Sequence, residues 1–214
     1  MTRLRMLHVS DYVGVNRDDP IRFYSIPVLG RLYRRRVELC LAELNGGDRI
    51  LEVGFGSGVT FLNLSDLYRE IHGLDLTADV GMVHRFFQER GIETFLRNGS
   101  VLQLPYPDNC FDAVLLISIL EHLQPQEQPL AFHELARVVK PEGQVVYGAP
   151  MDRPVMALFF RLLGYNIHEH HGSNERDISS AARSELKERR ILRMCGPIGL
   201  LGGIYEVGHF FKER

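Results

Sequence analysis

Two carboxylates flank a glycine-rich turn in the first third of the chain. Glu52 ends an apolar run, Gly54, Gly56 and Gly58 follow at every second position, and Asp75 lies further along. Glycines in this pattern let the main chain turn sharply and let a ligand approach where a Cβ atom would collide. If the turn joins a strand to a helix, it presents backbone N–H groups and a helix N-terminus to that ligand.

The residue types around the turn discriminate between two classes of ligand. A dinucleotide needs the GxGxxG spacing, but Val59 stands at the third glycine position and Glu52 would repel a pyrophosphate. A carboxylate instead suits a ligand that bears an ammonium or sulfonium group, and Asp75 could accept both hydroxyls of a ribose. A cationic nucleoside is therefore favoured, and a nicotinamide-dependent oxidoreductase is the weaker alternative.

A second group of polar side chains follows the most apolar stretch of the chain. Ile117, Ser118, Glu121 and His122 come at or just after the end of this predicted strand, where open parallel sheets bind their ligands. His122 is the candidate catalytic residue, because it could act as a general base for an acceptor that must lose a proton. In the alternative interpretation, Glu121 and His122 cap the loop and hold its geometry.

Three histidines, His168, His170 and His171, lie close together in the last third of the chain. They are candidates for contact with an acceptor, although surface or structural roles are the more frequent outcome for such a run. Spacing on one helical face would also permit a metal site. No cysteine lies nearby, so no metal is predicted.

A basic cluster lies on the first predicted helix and comprises Arg31, Arg34, Arg35 and Arg36. Such a cluster is usually a solvated face. The alternative is docking against an anionic substrate or peripheral contact with a lipid headgroup surface, which we consider for Arg31, Arg34 and Arg35.

Hydrophobic periodicity predicts the elements that must position these residues. Strands alternate with helices, which predicts an α/β, Rossmann-like, doubly wound and mostly parallel sheet of seven strands with an antiparallel C-terminal edge strand. We predict helices at residues 28–44, 59–70, 78–91, 129–143 and 181–190, and strands at residues 49–53, 71–76, 92–98, 110–120, 144–150, 191–195 and 204–211. Residues 166–180 read as a polar, solvated loop.

Composition narrows the class of protein. A net charge of −2 over 214 residues gives no electrostatic case for nucleic-acid binding. No apolar stretch is long enough for a membrane-spanning helix, and no secretory signal is recognised at the N-terminus. Three widely spaced cysteines fit neither a metal pair nor a disulfide framework. We therefore expect a cytoplasmic protein.

Four motifs, in order along the chain, carry a resemblance to a known family. The sequence "LEVGFGSG" resembles motif I of class I S-adenosylmethionine-dependent methyltransferases, and "GLDL" resembles their ribose-binding segment. The likeness continues through "GSVLQLPYPDNCFDAVLLISILEHL" and "ELARVVKPEGQVV". This order is similar to the methyltransferase-11 type and covers about residues 45–148.

The resemblance implies a set of residues that hold S-adenosylmethionine and its product S-adenosylhomocysteine. The glycine turn would line the methionine moiety, and Glu52 would orient the turn or reach the amino group through water. Asp75 would hold the ribose, and Leu76 would lie beneath the adenine. Ser100 stands where the family usually has an acid for the adenine amino group, and it can hydrogen-bond without charge assistance. The implied cofactor-binding residues are Glu52, Gly54, Phe55, Gly56, Gly58, Asp75, Leu76, Gly99, Ser100, Val101, Ile117 and Ser118.

The resemblance also implies the organisation of the chain. Residues 1–44 form an N-terminal arm and helix that cap the domain, and residues 45–214 form the methyltransferase domain, with 149–188 as an acceptor-side insertion. These segments have room for a small-molecule acceptor, whose candidate contacts are Glu121, His168, His170 and His171. The alternatives are a non-catalytic cofactor-binding module and an enzyme that methylates a lipid or a protein.

Overall fold

The computed structural model describes residues 2–14, 20–151, 172–195 and 203–214. Within these residues seven strands form one sheet. In chain order they are β1 (Gly47–Val53), β2 (Tyr68–Asp75), β3 (Thr94–Asn98), β4 (Phe111–Ile117), β5 (Val139–Pro150), β6 (Lys187–Cys195) and β7 (Gly203–Phe211). Their order across the sheet is β3-β2-β1-β4-β5-β7-β6.

The first five strands run parallel, and β7 is antiparallel to both β5 and the edge strand β6. The predicted seven-stranded, mostly parallel α/β sheet with its antiparallel C-terminal strands is confirmed. The strand order reverses between β1 and β4, which lie side by side although two strands separate them in sequence. A reversal of this kind opens a crevice at the carboxyl ends of the strands.

Helices cover both faces of the sheet. They are α1 (Pro27–Leu41), α2 (Phe61–Leu64), α3 (Val80–Gln88), α4 (Gln128–Val138) and α5 (Glu175–Glu185). One buried cluster joins the sheet to α4 and α5 through Phe132 and Ile178. The other joins it to the first three helices through Val37, Phe61 and Phe87. None of the helices in the described part of the chain is both long and apolar enough to span a bilayer.

The predicted helix over residues 59–70 is wrong in extent. Only Phe61–Leu64 is helical, and β2 already begins at Tyr68. Parallel pairing with β1 sets Gly47 opposite Tyr68 and Ile50 opposite Ile71, so this stretch is held as a strand. The amide of Gly47 donates to the carbonyl of Leu67 at 3.0 Å, which draws the segment towards β1 before the predicted start.

The boundary between α4 and β5 is also earlier than predicted. The helix ends at Val138 and the strand begins at Val139, whereas the sequence placed a helix through residue 143. Glu142 has a φ of 64° and the pairing of β5 with β4 shifts register nearby, so the strand enters the sheet through an irregular turn. Lys140 is held there by Asp112 at 2.6 Å.

The segment read as a solvated loop contains the start of α5. The Asn174 side chain accepts from the amides of Arg176 and Asp177, and the Asp177 side chain accepts from the Asn174 amide at 3.2 Å. This is a capping box, which satisfies free amides at a helix start. The helix ends at Glu185, so the predicted helix 181–190 is wrong in its second half, where β6 begins. His168, His170 and His171 lie outside the described residues.

The Asn174 cap should be measurable as stability. Asn174→Ala removes the acceptor for two helix amides, and we expect the free energy of unfolding to fall by about 1 kcal/mol. Ser180→Ala is the matched control, because Ser180 is exposed within the same helix and alanine favours helix. Urea unfolding measures both variants. Equal stability of Asn174→Ala and wild type would contradict a capping role.

Candidate active site at the carboxyl ends of the strands

The turn after β1 owes its shape to its glycines. Gly54, Gly56 and Gly58 have φ values of 75°, 52° and 72°, in the left-handed region that side chains rarely adopt. A Cβ atom on Gly54 would overlap the side chain of Ile119, and one on Gly58 would lie 2.6 Å from Phe87. The turn therefore packs directly against the loop that follows β4.

Asp75 connects the end of β2 to this turn. Its Oδ2 accepts from the Gly56 amide at 2.9 Å, and its Oδ1 accepts from the amides of Thr77 and Ala78, each at 2.9 Å. A carboxylate oxygen can accept more than one hydrogen bond, so the carboxylate keeps capacity for a ligand. Leu76, next to it, is 71% exposed and leaves an apolar surface beside the acid.

Glu52 lies buried beneath the turn and does not face solvent. Only 3% of the residue is exposed, and the hydroxyl of Thr60 donates to its Oε2. Burial raises the pKa of Glu52 to about 8, since the negative charge of Asp75 adds to the effect of desolvation and the Thr60 hydrogen bond only partly opposes it. A cation brought to this position would favour the ionised form.

The residues after β3 lie beside Asp75. The Gly99 amide donates to the Asp75 carbonyl at 3.0 Å, and Val101 is buried. The Ser100 hydroxyl accepts from the Leu102 amide at 3.2 Å, so it supports the local turn. These contacts place the segment next to the acid, where the sequence expected it.

Ser118, after β4, is the centre of a network that sequence reasoning missed. Its φ is 58°, and its amide donates to the Gly148 carbonyl at 2.7 Å. Arg36 Nη1 donates to Ser118 Oγ at 3.0 Å, and the Tyr205 hydroxyl lies 3.1 Å from the same atom. Arg36 was predicted to be part of a solvated cluster, but its Nε is buried.

Glu121 and His122 point to different environments. Glu121 is 2% exposed, and burial raises its pKa to about 7, with His122 and Arg36 opposing the shift. Among the described residues, no group hydrogen-bonds to Oε2 of Glu121. His122 is exposed. Of the pair, the glutamate is the group enclosed at the end of the strand.

The sequence is similar to those of known methyltransferases. A family model described as a methyltransferase domain matches residues 51–147. The chain is 32% identical over 152 residues to the uncharacterized methyltransferase YcgJ of Bacillus subtilis, covering 69% of this chain and 55% of that protein. It is 33% identical over 130 residues to a ubiquinone biosynthesis O-methyltransferase of Alkalilimnicola ehrlichii, covering 60% and 51%.

Residues 51–147 match the methyltransferase-domain family, and the likeness of the chain is to class I S-adenosylmethionine-dependent methyltransferases. Its fold agrees with that assignment. The crystal structure of the N-methyltransferase NodS from Bradyrhizobium japonicum, in complex with S-adenosyl-L-homocysteine, superposes with a TM-score of 0.69 at 17% identity, over 96% of this chain and 97% of that one. The chain spans about half the length of the two curated relatives it matches.

In this methyltransferase domain, the described residues predicted to form the site converge on one end of the sheet. Each of them lies at or just after the carboxyl end of one of the parallel strands β1 to β4, and these ends meet at one edge of the sheet. They are the glycine turn, Asp75, the segment after β3, Ser118 and Glu121. The described residues contain no group of three or more His, Cys, Asp or Glu side chains that could hold a metal ion.

The buried Glu52 predicts a pH-dependent stability. Its folded-state pKa of about 8 lies above the ordinary value of 4.5. Between these two pH values the carboxyl group is protonated in the folded protein and ionised in the unfolded chain. Stability from this group is therefore full below about pH 4.5 and is lost as pH rises through about 8. Between pH 5 and 9, we expect the free energy of unfolding to fall less for Glu52→Gln than for wild type. The difference should be on the order of 1 kcal/mol or more.

Thermal and urea unfolding over this range would measure the effect, with Glu93→Gln as the control because Glu93 is exposed. Identical pH profiles for wild type and Glu52→Gln would show that Glu52 has an ordinary pKa in the folded protein.

Proposed function

We propose that the chain binds S-adenosylmethionine at the glycine turn and transfers its methyl group to a small-molecule acceptor. The observation that carries the proposal is the hydrogen bond from the Gly56 amide to the Asp75 carboxylate, which fixes an acid beside the glycine turn. S-adenosylmethionine supplies a methyl carbon already activated by a sulfonium, so the protein has chiefly to position the acceptor.

The residues around the turn fit this cofactor. Gly54, Gly56 and Gly58 all hold a positive φ, which lets the main chain turn sharply beside the place proposed for the methionine moiety. Asp75 retains acceptor capacity for the ribose hydroxyls, and the exposed Leu76 offers an apolar surface to the adenine. Phe55, Gly99, Ser100, Val101, Ile117 and Ser118 complete the proposed cofactor-binding set.

Charge favours a cationic nucleoside over a dinucleotide. Glu52 lies under the turn, with Asp75 close enough to raise its pKa. A pyrophosphate would be repelled by the Asp75 carboxylate and would raise the pKa of Glu52 further, whereas an ammonium or sulfonium group would be attracted by Asp75 and would favour ionised Glu52. This argues against the nicotinamide alternative on the same ground as the sequence did.

The acceptor is proposed to be a small molecule held at the carboxyl ends of β4 and β5. Support comes from the two elements that cover this end, α1 and the start of β7, which bring Arg36 and Tyr205 to Ser118. One relative is named as a ubiquinone biosynthesis O-methyltransferase, which acts in the making of a small molecule. Three assignments remain predictions: a cap formed by residues 1–44, an acceptor-side insertion at residues 149–188, and His122 as a general base.

Asp75→Asn tests the cofactor site. The amide keeps the size of the side chain but loses the charge that strengthens hydrogen bonds to hydroxyls and to the Gly56 amide. We expect the affinity for S-adenosylhomocysteine to fall at least about tenfold. Asp48→Asn is the control, because Asp48 lies at the start of β1, far from the turn, in an exposed pair with Arg69.

Isothermal titration calorimetry of wild type and both variants, with NAD as a second ligand, would measure these affinities. Binding of NAD in preference to S-adenosylhomocysteine would refute the proposed function. Unchanged affinity in Asp75→Asn would refute the role of Asp75 alone.

A further inference from the structure

A buried cluster around Ser118 contains two polar atoms that have no hydrogen-bond partner among the described residues. One is the donor Nε of Arg36, and the other is the acceptor Oε2 of Glu121. Arg36 Nη1 donates to Ser118 Oγ at 3.0 Å, and Glu121 is three residues further along the same loop, near enough for Arg36 and Ser118 to lower its pKa. Buried polar atoms without partners cost free energy, so a donor and an acceptor left unpaired in one cluster point to a ligand.

Aromatic side chains surround the guanidinium. Arg36 lies 4.0 Å from the ring centroid of Tyr33 and 5.9 Å from that of Tyr205. Burial lowers the pKa of Arg36, but its interactions with Tyr24, Tyr205 and Tyr33 raise the pKa by more, so the group stays a cation. Rings arranged around a fixed cation suit a ligand with a flat apolar body.

Two glycines make this arrangement possible. A Cβ on Gly30 of α1 would overlap the carbonyl of Tyr24, and a Cβ on Gly148 of β5 would lie 2.5 Å from the Tyr205 hydroxyl. The cluster also adjoins the proposed methyl-donor site, because Ile119, next to Ser118, packs against Gly54.

The unsatisfied atoms favour a functional group that both donates and accepts a hydrogen bond. A hydroxyl both donates and accepts a hydrogen bond, so it can satisfy Glu121 Oε2 and Arg36 Nε together. A carboxylate offers only acceptors and would be repelled by Glu121. An ammonium offers only donors and would be repelled by Arg36.

We propose that Arg36 and Glu121 bind the hydroxyl group of an aromatic methyl acceptor, which makes this chain an O-methyltransferase of the phenol type. This inference rests on the proposed function and adds the class of acceptor. It also assigns Glu121, in place of His122, as the group that receives the hydroxyl proton.

The chemical balance of the transfer is complete with these groups. The acceptor oxygen provides the electron pair of the new O–CH3 bond, and the electron pair of the broken C–S bond stays on sulfur, which becomes neutral. The hydroxyl proton passes to Glu121 Oε2 and from there to solvent. Arg36 stabilises the negative charge that develops on oxygen.

Binding of three naphthalene probes to the protein saturated with S-adenosylhomocysteine would test this assignment. The probes are 2-naphthol, its methyl ether 2-methoxynaphthalene, and 2-naphthoate, with affinities measured by calorimetry at a pH above about 8, where Glu121, of pKa about 7, is ionised. We expect wild type to bind 2-naphthol at least about tenfold more tightly than either other probe.

The variants separate the two roles. Arg36→Met should weaken 2-naphthol and its methyl ether alike, because the oxygen of each can accept from Nε, whereas Arg31→Met, at an exposed arginine of the same helix, should change neither affinity. Glu121→Gln should weaken 2-naphthol about tenfold and strengthen 2-naphthoate, because the repelling charge is gone. A purely structural glutamate would not change preference in that direction. If Arg36→Met does not fold, Glu121→Gln, which preserves shape, and Arg36→Lys carry the test.

Each outcome has a distinct meaning. Tight binding of S-adenosylhomocysteine with no preference for 2-naphthol in wild type would overturn the acceptor assignment and leave the proposed function standing. An unchanged preference between naphthol and naphthoate in Glu121→Gln would also overturn it. Failure of wild type to bind S-adenosylhomocysteine would overturn the proposed function, and this inference with it.

Discussion

The hydrogen bond from the Gly56 amide to the Asp75 carboxylate joins the two strand ends that frame the site. It can form because β1 and β2 lie parallel and in register, with Val53 opposite Leu74, so that the turn after one strand meets the acid after the other. Gly56 must hold a positive φ for its amide to point there. Amides of the following residues fix the second oxygen of Asp75, so a ligand meets an acid already in position, which lowers the entropic cost of binding.

The other half of the site depends on the same strand order. Because β4 pairs with β1, Ile119 packs against Gly54 and the loop after β4 is held beside the glycine turn. Ser118 then receives side chains from α1 and β7, which are 82 and 87 residues away in sequence. The N-terminal helix is therefore part of the functional end of the sheet, and it contributes more than a cover for the core.

The sequence predicted what local patterns encode. Buried strands and the glycine turn have short-range signatures: the strand predicted at 110–120 is observed at Phe111–Ile117, and the turn follows β1 as predicted. Helix 59–70 was wrong in extent because parallel pairing of β2 with β1 from Tyr68 onwards outweighs helical spacing. The network around Ser118 has no local signature at all. Arg36 looks like its neighbours Arg34 and Arg35, and only tertiary packing distinguishes it.

Glu52 and Glu121 show why burial alone does not define a role. Both acids are nearly inaccessible, and burial raises the pKa of each, to about 8 and about 7. Glu52 is satisfied by the Thr60 hydroxyl, which suits a group that supports the turn and responds to a nearby cation. Glu121 keeps one oxygen without a partner among the described residues. An acid with a pKa near neutrality and an oxygen without a partner can take up a proton during a reaction. In a purely structural acid, a hydrogen-bond partner at that oxygen would stabilise the fold.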